Sequence, residues 1–230
     1  MIIKLLKSEK YGGNTKVIKG CIFDLDGVIV DTAKYHYLAW KRLANNLGYD
    51  FTQEHNELFK GVSRMKCMDI MCELFNLTLS DDEKFALAET KNSWYREYIS
   101  QLDKNEILPG AEVFLQQLKI NNIKIALGSA SKNAMIILNQ LDLTKYFDSI
   151  IDGTKVRNAK PNPEVFLLGV EELGLNPKNC VVFEDAVAGI EAAHSAGMKA
   201  VGVGESNNLN KCDLQIKCLY EMSIEKLFTL

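Results

Sequence analysis

Apolar residues fall into two regimes along this chain. Residues 17–23, 123–127, 149–151, 180–183 and 199–203 are short apolar runs, each ended by glycine or a polar cluster, the pattern of strands buried on both faces. Between the later runs apolar positions recur every three or four residues, which predicts helices over 111–119, 164–173 and 187–196. Asn162 reads as the cap and Pro163 as the first residue of the second of these, Gly197 closes the third, and Gly128-Ser129-Ala130-Ser131 reads as the opening of a further helix. Residues 32–104 differ. Their spacing is helical throughout, as in Trp40, Leu43 and Leu47 or Phe85, Leu87, Trp94 and Tyr98, and they contain no good strand.

Strands alternating with helices predict an α/β fold, a doubly wound parallel sheet of Rossmann-like form with right-handed crossovers. Ligands of such sheets bind beyond the carboxyl ends of the strands, where strand order reverses. The expected organisation is a core of residues 17–31 and 105–230, a small helical cap of residues 32–104 inserted after the first strand, and an N-terminal extension, residues 1–16, to which the sequence attaches no role. With 47% hydrophobic and 25% charged positions in 230 residues, wholesale disorder is excluded. The 27 basic and 30 acidic residues leave a net charge of −3, no field for a polyanion, so no nucleic-acid partner is expected. None of the six cysteines forms a CxxC pair, which removes zinc-ribbon and dithiol readings and fits a reducing compartment. No run approaches the ~18 apolar residues of a membrane span, and no signal-peptide pattern is present. The expectation is a cytoplasmic monomer without a membrane partner.

The chemistry gathers at the predicted strand ends. Asp24 and Asp26, two apart after the first apolar run, can turn both carboxylates into one crevice, and Gly27 allows the chain to turn sharply behind them. Adjacent carboxylates repel, and a hard cation such as Mg²⁺ resolves that repulsion through oxygen ligands. Glu184-Asp185, ending another strand, would supply its other side. Ser129 offers a hydroxyl and free backbone N–H groups to a phosphate, and Lys160 stands in a loop at the same edge. Taken singly, each acid reads first as a turn or cap, and Lys160 as a solvated surface charge; two acidic sites at matching positions on different strands weigh against that.

The order Asp24-x-Asp26, Ser129, Lys160, Glu184-Asp185, with the stretch FDLDGVIVDT at residues 23–32, resembles the four motifs of the haloacid dehalogenase-like superfamily. That resemblance implies phosphoryl transfer through an aspartyl-phosphate. Asp24 would be the nucleophile and Asp26 the general acid and base. Mg²⁺ would be held by Asp24, the Asp26 carbonyl, Glu184 and Asp185, while Ser129 and Lys160 would bind and neutralise the transferring group.

In the helical stretch, Thr32, His36 and Trp40, the loop Lys60-Gly61-Val62-Ser63-Arg64, and Lys91, together with Ala130, Ser131, Lys132 and Asn133, resemble the branch that moves a phosphoryl group between C1 and C6 of β-glucose. A sugar-phosphate substrate is therefore expected. Such a reaction needs one reactive phosphate site and a second that only holds, for which Arg64, Ser131, Lys132 and Asn133 are suited. Cys67 departs from that branch, which carries serine there, so that contact is not carried over. A sugar-phosphate phosphatase uses the same core residues. A phospho-acceptor switch domain shares the strand-end Asp, hydroxyl and Lys but needs no acid at +2 and no helical insertion.

Overall fold

A computed structural model describes residues 18–230 except Gly61; residues 1–16, Val17 and the expected substrate contact at Gly61 lie outside the described residues. Six parallel strands form one sheet: β1 (Gly20–Phe23), β2 (Lys124–Gly128), β3 (Ser149–Ile151), β4 (Cys180–Glu184), β5 (Lys199–Val203) and β6 (Leu214–Ile216). Their spatial order is β3-β2-β1-β4-β5-β6. The doubly wound class is as expected, but the sheet does not end at residues 199–203. Leu214-Gln215-Ile216 adds an edge strand too short to show a period, and it forms because β5 offers a free edge to pair with.

Side-chain alternation divides the core into two layers. Cys21, Phe23, Ile125, Leu127, Val181 and Phe183 face one layer with helix α5 (Ala111–Ile120) and helix α6 (Ala134–Gln140). Ile22, Ala126, Cys180, Val182 and Ala200 face the other, with helix α7 (Glu164–Leu173) and helix α8 (Val187–Ser195). Residues of such strands are apolar on both sides because helices cover both faces. The Phe23 and Phe183 rings stack at 4.6 Å just below the strand ends, anchoring the two segments that carry the acidic motifs.

Two local expectations change. Helix α6 starts at Ala134 rather than at Ser129, because Ser129–Asn133 turn back on themselves: the Ser129 hydroxyl accepts the Ser131 N–H at 3.1 Å and the Ser131 hydroxyl accepts the Asn133 N–H at 3.2 Å. Pro163 sits at the cap position of α7, one residue before its expected place, while Asn162 still accepts the Glu164 N–H at 3.0 Å.

Ahead of α5, four α-helices follow β1 among the described residues: α1 (Ala33–Asn46), α2 (Gln53–Glu57), α3 (Arg64–Phe75) and α4 (Asp81–Ile99). Ser63 caps α3 by accepting the Lys66 N–H, and Ser80 with Glu83 forms a capping box on α4. Trp40, Leu43, Phe51, Phe59, Met68, Met71 and Ala88 pack into a cluster of their own. The chain leaves and returns side by side, with Leu108 N–H donating to Ile29 O at 2.9 Å and Asp31 N–H to Glu106 O at 2.7 Å. A short helix, α9 (Ile224–Leu227), follows β6, and no helix among the described residues is long and apolar enough to cross a membrane.

Candidate active site

The sheet order reverses between β1 and β4, and both acidic motifs emerge there. Asp24 follows β1 and is tied to its neighbour by its N–H donating to Phe183 O at 3.0 Å. The Leu25 carbonyl then accepts the N–H groups of Ile29 and Val30 at 3.0 and 3.1 Å, so Asp24 and Asp26 share the crevice through a tight turn rather than through strand periodicity. Gly27 adopts φ +85°, and a Cβ there would lie 2.3 Å from the Asp185 carboxylate, so only glycine fits.

Lys160 bridges the motifs. Its ammonium donates to Asp24 Oδ1 at 2.6 Å and to Glu184 Oε1 at 2.5 Å, with only 1% of its side chain exposed. Glu184 Oε2 accepts the Ala186 N–H at 2.9 Å. Asp24, Glu184 and Asp185 each bring a carboxylate oxygen within 4.8 Å of the others. Burial pushes the Glu184 and Asp185 carboxyls up; the Asp24 charge pushes both the same way, the Glu184 charge adds to Asp185, and Lys160 pulls against them. Burial opposes the Lys160 charge, but Asp24 and Glu184 outweigh it and hold the amine protonated above its ordinary range. Three hard oxygen donors against one ammonium leave an excess of negative charge, and this set fits a hard divalent cation.

The Asp26 carboxylate stands apart from that cluster. It accepts the Thr32 hydroxyl and, at 3.5 Å, the Tyr95 hydroxyl, and His36 Nε2 lies 3.8 Å away. Burial and then the Asp24 charge raise its carboxyl to about 6, against the pull of Thr32, Lys91 and Lys160. A carboxyl titrating there can hold or release a proton near neutrality.

Above these groups lies a cavity of about 380 Å³ lined from below by Asp24, Asp26, Asp185 and the loop Ser129–Asn133. From the inserted helices it is lined by His36, Trp40, Lys60, Val62, Ser63, Arg64, Cys67 and Lys91. Lys91 is buried, 2.9 Å from His36 Nδ1 and over the Trp40 and Tyr95 rings. Burial pushes its ammonium down to about 7, and burial with the nearby Lys91 and Arg64 charges keeps His36 well below its ordinary range. Asn133 Nδ2 donates to Asn92 Oδ1 at 2.9 Å, joining the β2 loop to α4.

The haloacid dehalogenase-like hydrolase profile matches residues 18–197 of this chain. The chain belongs to the haloacid dehalogenase-like family. It is 41% identical over 213 residues to the β-phosphoglucomutase of Bacillus subtilis, covering 91% of this chain and 94% of that protein. It is 34% identical to a phosphorylated carbohydrates phosphatase of Thermotoga maritima, covering 86% and 91% of the two chains. A crystal structure of β-phosphoglucomutase from Clostridium difficile superposes with a TM-score of 0.87 at 46% identity, covering 92% of this chain and 96% of that one.

Within this haloacid dehalogenase-like frame two expected contacts move. Thr32 is fully buried and lies outside the cavity wall, its hydroxyl spent on Asp26. Lys160 is neither a surface charge nor part of the wall, because Asp24 and Glu184 draw its ammonium beneath the floor. Conversely, the wall includes Phe85, Glu89, Gly153 and Arg157, which sequence reasoning did not mark as site residues. Phe85 and Glu89 share one face of α4 at i and i+4, a face that Lys91 does not share, so helix periodicity outward from Lys91 does not reach them. Gly153 and Arg157 lie in an irregular loop that carries no such signal.

Proposed function

We propose that this protein is a β-phosphoglucomutase, interconverting β-D-glucose 1-phosphate and glucose 6-phosphate through β-glucose 1,6-bisphosphate. The observation that carries this reading is a single cavity with a carboxylate at its floor and the Arg64 guanidinium on its inserted-helix wall. One end can react with a phosphoryl group while the other holds one. Residues 32–104 act as the cap that encloses the sugar between them.

In this scheme an Asp24 carboxylate oxygen attacks phosphorus, the bond from phosphorus to the sugar oxygen breaks, and Asp26 delivers its proton to that oxygen. In the return step Asp26 takes the proton of the other sugar hydroxyl, whose oxygen attacks the phosphorus held on Asp24, and the bond from phosphorus to the Asp24 oxygen breaks to return the free carboxylate. Asp24, the Asp26 carbonyl, Glu184 and Asp185 would hold Mg²⁺, which supplies charge neutralisation for the transferring group. Lys160 acts from below by offsetting the Asp24 charge and fixing its carboxylate, and Ser129 with the following loop meets the phosphoryl oxygens. His36 and Lys91 orient the sugar from the cap, and Lys60, Ser131, Lys132 and Asn133 complete the polar rim.

The resemblance to the Thermotoga maritima phosphatase favours a second reading, a sugar-phosphate phosphatase in which water attacks the phospho-aspartate. Purified protein with Mg²⁺ and β-glucose 1-phosphate, primed by a trace of the 1,6-bisphosphate, separates them. Glucose 6-phosphate in excess of free phosphate supports the mutase. Stoichiometric free phosphate supports the phosphatase, and labelling without turnover would leave only a phospho-acceptor switch.

A further inference from the structure

Arg64 is the first residue of α3, and its guanidinium donates to the carboxylate of Glu89 on α4. Both side chains line the cavity, with 22% and 49% of their surface exposed. The other carboxylates of that wall, Asp24, Asp26 and Asp185, all belong to the floor, so Glu89 is the single described acid on the cap side of the cavity. Phosphate and carboxylate compete for the same fork of guanidinium N–H groups. An acid in this position is an unusual choice for a wall that must receive a dianion.

We propose that Glu89 is an internal competitor for the distal phosphate of the substrate at Arg64. This rests on the reading of Arg64 as the holding site. A mutase must let its bisphosphate turn around, which requires the distal phosphate to leave Arg64 once per cycle. The Glu89 carboxylate takes the guanidinium as the phosphate departs, so Arg64 passes between two anions and is not left bare. Binding is weaker by the strength of the ion pair that must open. For a partly exposed pair that strength corresponds to about 1.4- to 5-fold in affinity.

The test is calorimetric titration of glucose 6-phosphate into the wild-type protein, Glu89→Gln, Arg64→Ala and the double variant, at fixed ionic strength. Glu89→Gln should lower Kd by about 1.4- to 5-fold, and in the Arg64→Ala background the same substitution should leave Kd unchanged. An unaltered or raised Kd in Glu89→Gln overturns the proposal, a raised value meaning that Glu89 holds Arg64 in its binding position. If Arg64→Ala weakens binding while Glu89→Gln does not tighten it, the competition falls and the holding site stands. If Arg64→Ala alone leaves Kd unchanged, the holding role falls and takes the competition with it.

Discussion

Replacing Lys160 by methionine removes the charge beneath the site and keeps most of the volume that carries it. The ammonium donates to Asp24 at 2.6 Å and Glu184 at 2.5 Å, and with 1% of the side chain exposed, water cannot take its place. Breaking a buried ion pair from one side costs about 3–5 kcal/mol, because the remaining charge is left in a medium that solvates it poorly. Here two carboxylates lose their partner at once. The Glu184 carboxyl, which burial raises and Lys160 pulls down, then lies further above its unfolded value, so the folded variant binds more protons and its stability falls as pH rises. Urea unfolding in EDTA should show a loss of about 3–5 kcal/mol at pH 8 and a clearly smaller loss at pH 5, with added Mg²⁺ restoring part of the deficit at pH 8. A loss under about 1 kcal/mol at pH 8, or equal losses at the two pH values, would refute the claim that Lys160 holds these carboxylates by charge.

Asp26 gives a contrary case, since its carboxyl is raised from 3.8 to about 6 mainly by burial. Charge at that position lowers folded stability as pH climbs through this range, so Asp26→Asn should be more stable than wild type by about 1–3 kcal/mol at pH 8 and show no gain below pH 4, while turnover drops about 10²- to 10⁴-fold; thermal unfolding across pH and steady-state rates check both halves. Gly189→Ala would place a Cβ 2.0 Å from the Glu184 carboxyl carbon. The helix gains about 1 kcal/mol from alanine, yet overpacking of about 1–3 kcal/mol and a displaced Glu184 should leave a net loss in urea melts and a higher Mg²⁺ requirement. Asp185→Ala removes one of the two cavity-lining members of the carboxylate cluster. Its Mg²⁺ affinity by titration should fall tenfold or more, on the order of one lost charged ligand, and unchanged affinity would exclude Asp185 as a ligand.

The sequence by itself determined the layers and the acidic motifs. Ile22 and Phe23, Ala126 and Leu127, Val182 and Phe183 are apolar without a break because both faces of their strands are covered, and that signal is local. Asp24, Asp26, Glu184 and Asp185 are legible because they end such runs abruptly. What lay beyond local pattern was the direction of each polar group once the strand had stopped. Thr32 turns inward to Asp26, Lys160 passes beneath the floor to two carboxylates more than twenty residues away in either direction, and Ser129–Asn133 spend their hydroxyls on one another before α6 can begin. Strand β6 and the pairing of Arg64 with Glu89 likewise depend on which elements the fold brings side by side. Periodicity reports which face of an element is buried, because burial repeats along the chain. A loop side chain has no such repeat, and its partner is chosen by the crossovers that set one strand end beside another, so only the tertiary structure decides it.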